Sequence, residues 1–88
     1  MELYKSVIRR YLSEYACSLR EKRGLTQAEM AERLRITERA YSDLERGVYC
    51  FSTVPLVSLL LILKSDEFEE FIEPLRGEIA KLEAGEVA

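Results

Sequence analysis

Residues 24–47 read GLTQAEMAERLRITERAYSDLERG, and this stretch decides the fold. Thr26 followed three residues later by Glu29 is a capping box, in which each side chain answers the other's backbone amide at a helix start. Ala28, Met30, Ala31 and Leu34 then supply the buried side of a short helix. Thr37 opens a second helix, with the acidic Glu38 beside its positive end and Ala40, Tyr41 and Leu44 facing inward; Gly47 stops it. Only Arg35 and Ile36 separate Leu34 from Thr37, so the two helices are expected to cross steeply.

The pattern stays helical outward in both directions. Upstream, Leu3/Tyr4, Val7/Ile8, Tyr11/Leu12, Tyr15/Ala16 and Leu19 predict an amphipathic helix of about five turns, ended by Gly24 after the basic Lys22 and Arg23. Downstream, Ser52 or Thr53 can cap a helix with Pro55 in its first turn. Its apolar face is Leu56, Leu59, Leu60 and Leu63. Val57, Leu61 and Ile62 make it apolar almost all round, so it is expected to be covered on several sides. Ser65 is placed to cap a last helix, with Asp66 and Glu67 at its positive end. There Phe68, Ile72, Leu75, Ile79 and Leu82 recur as a heptad stripe, while Pro74 and Gly77 predict a kink or break, and Ala84 to Ala88 are expected to fray. No strand pattern occurs. The expectation is an all-α, compact five-helix domain over residues 1–88, with a helix-turn-helix core at 10–64 and a helical extension at 65–88.

Composition narrows the chemistry. Eighty-eight residues, 48% hydrophobic and 33% charged, suit one small globular core. The sequence has no His, so the commonest general base and metal ligand are both missing; no catalytic site, metal or cofactor is expected. Cys17 and Cys50 have no CxxC partner and are expected to be unpaired thiols. No apolar run approaches the ~18 residues of a membrane span, and residues 1–10 lack a secretion-type apolar segment, which predicts a cytoplasmic protein. The net charge of −3 is unevenly spread. Residues 1–46 hold ten Lys/Arg and eight Asp/Glu, whereas residues 47–88 hold three and eight, so the acidity lies in the second half.

The run from Leu19 to Leu34, with Gly-Leu-Thr-Gln at 24–27 and Ala31 five residues after Thr26, resembles the Cro/lambda-repressor-like (XRE) helix-turn-helix family. The likeness continues from Ile36 to Gly47 through Leu-Glu-Arg-Gly at 44–47 and covers about residues 10–64. It implies a regulator that binds duplex DNA with its third helix in the major groove. The implied base-reading positions are Glu38, Arg39, Ser42 and Asp43; the implied phosphate contacts are Gln27, Thr37 and Arg46. Arg20 and Glu45 resemble the family's ion pair between first and third helices. Each position also has a plainer reading: Glu38 as a charge at a helix N-terminus, Arg46 as one near a C-terminus, Arg39 and Gln27 as solvated side chains.

Two features depart from the family pattern. The reading surface carries two carboxylates and one guanidinium, although nonspecific affinity rests on Lys and Arg. The segment after Gly47, usually polar or basic, is here Val48-Tyr49-Cys50-Phe51-Ser52-Thr53. Val48, Tyr49 and Phe51 either pack beneath a helix or await a protein partner. The alternative function is therefore a helix-turn-helix scaffold for protein–protein binding, an antitoxin or anti-regulator. A homodimer joined through Phe68, Ile72, Leu75, Ile79 and Leu82 is expected, because the stripe has no evident intramolecular customer.

Overall fold

The computed structural model describes residues 2–87. They form α1 (Glu2–Lys22), α2 (Gln27–Arg33), α3 (Glu38–Glu45), α4 (Thr53–Leu61) and α5 (Ser65–Val87), with no strand among them. No helix of the described residues is long and apolar enough to cross a membrane. The capping box at α2 is complete: the Glu29 amide donates to Thr26 Oγ1 at 3.1 Å and the Thr26 amide to Glu29 Oε1 at 2.8 Å. Thr37 Oγ1 accepts from the Ala40 amide at 3.1 Å and starts α3 in the same way.

Three helices stop by one device. After α1, the Leu25 amide donates to the Arg20 carbonyl and the Gly24 amide to that of Glu21. Ile36 and Arg35 repeat the pattern onto Ala31 and Glu32, and Val48 and Gly47 repeat it onto Asp43 and Leu44. This paired closure needs a left-handed residue at its centre. Gly24 (φ 66°) and Gly47 (φ 75°) supply it freely, but in the turn between α2 and α3 the residue is Arg35, at φ 63°. A side chain there costs roughly 1–2 kcal/mol. The Arg35 guanidinium donates to the buried Ser58 Oγ at 3.0 Å, tying the turn to α4.

The core is built from Leu12, Ala16 and Leu19 of α1, Met30, Ala31 and Leu34 around α2, Tyr41 and Leu44 of α3, Phe51, Leu59 of α4 and Phe71 of α5. Ala31 is 2% exposed, as expected of a small residue where α2 and α3 pack. Ala28, expected inside, is exposed, because the seven-residue α2 buries only Met30 and Ala31. Ser52 is the N-cap of α4, but its side chain makes no capping bond. α4, expected to be covered on several sides, buries Pro55, Ser58 and Leu59 with Leu56 and Leu60 part-buried, but one side stays open. Leu59 is fully buried, yet Val54, Val57 and Leu61 are 55%, 46% and 71% exposed.

The C-terminal helix departs most from the sequence expectation. α5 is continuous from Ser65 to Val87, without a break at Pro74 or Gly77. Pro74 and Glu70 both lie on the exposed side, where water can satisfy the carbonyl that proline leaves unpaired. The expected fraying is not seen up to Val87; Ala88 lies outside the described residues. The stripe does have an intramolecular customer, which is α1. Tyr15 meets Phe71 edge-on at 4.8 Å between ring centroids, Tyr11 Oη donates to the Phe71 carbonyl, and Ile72 and Leu75 pack against the core. Ile79 and Leu82 are half-buried, and Phe68 is 41% exposed.

Ser65 does not cap α5; Glu67 closes its start from within. Glu67 Oε1 accepts from the Lys64 amide at 3.0 Å and from Arg23 at 2.6 Å, while Oε2 faces Lys22 at 3.4 Å. Arg23 also donates to the Ile62 carbonyl at 2.9 Å, so one guanidinium pins the α4–α5 turn to the end of α1.

Two outcomes follow from these contacts. Arg35→Gly and Arg35→Val both lose the bond to Ser58 and differ chiefly in tolerance of positive φ. Thermal unfolding is expected to place the valine variant lower by about 1–2 kcal/mol, several degrees in Tm for a domain this size; equal midpoints would show that the turn carries no strain. The Lys64 amide, helped by Arg23 and Lys22 against the opposing effect of burial, holds the Glu67 carboxyl at about 2, below its ordinary 4.5. A lowered folded-state value means that the unfolded chain takes up the proton first. The contribution of Glu67 is complete above about pH 4.5 and is lost as pH falls toward 2. Tm measured across that range is expected to fall less steeply in Glu67→Gln than in the parent.

Candidate nucleic-acid interface

A single carboxylate, that of Glu45, links α1, α2 and α3. Arg20 of α1 donates to Glu45 through both arms of its fork, Nε to Oε2 at 2.8 Å and Nη2 to Oε1 at 3.0 Å. Gln27 of α2 adds a bond to Oε1 at 3.0 Å, and the buried Tyr41 hydroxyl donates to Oε2 at 2.5 Å. Arg20 also donates to the Leu25 carbonyl at 2.9 Å. Burial pushes the Glu45 carboxyl up, but the bonds from Arg20, Tyr41 and Gln27 outweigh it and hold the group at about 2. The same surroundings raise the Tyr41 hydroxyl well above its ordinary value, through burial first and the hydrogen bond to Glu45 second. The expected Arg20–Glu45 pair is thus present, and its two further members were not foreseen. Tyr41 stands one helical turn before Glu45, a spacing that signals the contact; nothing in the local sequence signals that Gln27 would reach it.

α3 presents the other expected residues along its outer side. Glu38 and Arg39 in its first turn are exposed, the Arg39 side chain at 87%. Ser42 is half-buried. Asp43 is drawn inward, its side chain 16% exposed, and bonds Arg46 at 2.5 Å, with Arg39 3.9 Å away on the other side. Glu38, Arg39, Asp43 and Arg46 therefore balance to zero charge along the helix. Thr37 spends its oxygen on the Ala40 amide but keeps its hydroxyl proton to donate outward. Gln27, expected at a phosphate, uses one amide proton on Glu45 and retains a second.

The apolar segment after Gly47 divides. Val48 and Tyr49 are 50% and 62% exposed, as a partner-facing surface requires. Phe51, expected with them, is 8% exposed and belongs to the core. Its burial withdraws it from any such surface.

A family model described as helix-turn-helix matches residues 18–68, more than half of the chain. No curated protein and no solved structure is matched. The matched span holds α2, α3, α4 and the Glu45 network together with the end of α1, and it sets the geometry just described in a known frame. The chain belongs to the helix-turn-helix family of the Cro/lambda-repressor-like (XRE) type.

Proposed function

We propose that this chain is a regulator of transcription that binds specific duplex-DNA sequences by laying α3 in the major groove. The observation that carries the reading is the division of α3. Tyr41 and Leu44 are locked into the core, while Glu38 and Arg39 stand exposed on the first turn, where base edges are reached, with Arg39 held only by a long 3.9 Å pair to Asp43. Arg39 is the guanine reader, forking onto its two acceptors; Glu38, Ser42 and Asp43 complete the base contacts, with carboxylates suited to a cytosine amine. Gln27, Thr37 and Arg46 position the duplex through its phosphates.

The proposed regulator works as a homodimer, since two half-sites supply the affinity that one small domain lacks. With Ile72 and Leu75 partly turned toward their own core, the share of the α5 stripe left for a second copy is Phe68 and a shallow groove of about 420 Å³ lined by Ile72, Leu75, Arg76 and Ile79, with Leu82 beyond it.

One observation favours a second reading. Val48, Tyr49, Val54, Val57 and Leu61 are all exposed within a stretch, residues 48–63, that holds no charged residue. Such a surface suits a protein partner, as in an antitoxin or anti-regulator, in place of DNA.

Binding to duplexes drawn from upstream of the chain's own gene separates these readings. The regulator gives sequence-dependent binding whose affinity falls steeply as salt rises; the interaction module gives none. Arg39→Ala is expected to reduce discrimination between the best duplex and a scrambled one by roughly 5- to 150-fold, equivalent to ~1–3 kcal/mol, with Tm unchanged. Light scattering tests the dimer. Twice the 10.2 kDa of one chain is expected at tens of micromolar, about the concentration at which weak dimers form. Ile79→Asp with Leu82→Asp is expected to return the monomer mass.

A further inference from the structure

A groove of about 540 Å³ lies between the first half of α1 and the end of α3. Its rim holds Arg9, Arg10 and Arg46, and Ser6, Ser13 and Gly47 line it between them. Among the described residues, the guanidiniums of Arg9 and Arg10 have neither an ion-pair nor a hydrogen-bond partner, unlike those of Arg20, Arg23 and Arg46, which bond Glu45, Glu67 and Asp43. Two carboxylates also border the groove. Glu45 is consumed by Arg20, Tyr41 and Gln27; Glu14 is exposed and leaves the rim with a positive balance.

We infer that this groove binds the DNA backbone, with Arg9 and Arg10 of α1 as phosphate contacts beside Arg46. The inference rests on the DNA-binding reading and concerns a surface outside the helix-turn-helix pair. Its physical basis is a deficit. The outer side of α3 is neutral, and residues 48–63, which follow Gly47 in the chain, hold no charge. Neither segment can attract the phosphates that flank a major-groove helix, and that attraction is what holds a protein on duplex DNA. α3 has eight residues and is about 12 Å long, comparable to the width of the major groove, so the backbone bordering the groove passes close to its ends. At its C-terminal end the unpaired cations available are those of α1. Forked guanidiniums suit phosphate oxygens, and the Ser6 hydroxyl can add a donor.

The test is the salt dependence of binding to the best duplex, with four proteins compared. The double variant Arg9→Gln/Arg10→Gln is expected to lower the slope of log affinity against log salt by about two, with discrimination between best and scrambled duplexes unchanged. Arg9→Lys/Arg10→Lys is expected to keep most of that slope. Lys64→Gln/Lys81→Gln, which removes two exposed charges along α5, is expected to keep all of it. Thermal unfolding confirms that each variant is folded. A steep parent slope left unaltered by Arg9→Gln/Arg10→Gln overturns the groove while the DNA reading stands; an equal loss in the α5 variant reduces it to net charge and also overturns it. A parent that binds no duplex overturns both. Inorganic phosphate titrated against the parent is expected to compete only weakly, and saturation at low millimolar phosphate would make the groove a free-anion site instead.

Discussion

A carboxylate taken out of water must be met by donors on every side, and Glu45 is the residue on which this requirement falls. Its side chain is 9% exposed, and four hydrogen bonds reach it from three helices. Each donor arrives at a fixed angle, so the network sets the orientation of α1, α2 and α3 together. Desolvation of the two ions offsets much of their attraction, so the gain is more one of direction than of net stability. Tyr41 shares the dependence, because a buried hydroxyl with no acceptor would be costly. Among the described residues no buried side-chain polar atom is left without a partner. The end of α3 is thereby fixed while its first turn remains free in solvent.

α1 is the helix that makes both halves of the fold cohere. Arg20 and Arg23 lie about one turn apart near its end and serve different neighbours: Arg20 binds α3 through Glu45, and Arg23 binds the α4–α5 turn through Glu67 and the Ile62 carbonyl. Closer to its middle, Leu12, Ala16 and Leu19 enter the core while Tyr11 and Tyr15 receive Phe71. The helix thus carries an apolar seam and two charged fastenings, and α3, the α4–α5 turn and α5 each meet one of them.

The elements built from short-range rules were legible from the residues. Thr26 with Glu29, Thr37, Gly24 and Gly47 mark helix ends by side-chain chemistry or backbone freedom alone, and the structure has them where that chemistry puts them. The features that were not legible depend on what lies across the chain. Arg35 occupies a left-handed position normally given to glycine, and its sequence neighbours do not announce this; only the two-residue turn requires it. Pro74 breaks no helix because its side of α5 faces water. The heptad spacing of Phe68 to Leu82 is the same for a helix that meets a second copy and for one that meets α1, so periodicity could not choose between them. The candidate site shows the same limit. Arg39 on the exposed first turn follows from helical register, whereas the withdrawal of Asp43 toward Arg46 and the capture of Gln27 by Glu45 needed the third dimension.

The pairing of Tyr11 with Phe71 also bears on how the chain emerges from a ribosome. Sixty residues separate the two partners, while α2 and α3 meet each other across a short turn and reach Arg20 of α1 within 25 residues. The helix-turn-helix unit can close as soon as it has been synthesised, but the tyrosine face of α1 stays bare until α5 follows. At ordinary elongation rates that interval is on the order of several seconds, far longer than a helix takes to form. Throughout it, the nascent protein displays an uncovered aromatic ridge, of the kind that chaperones shield, and the uncharged segment 48–63 emerges within the same window.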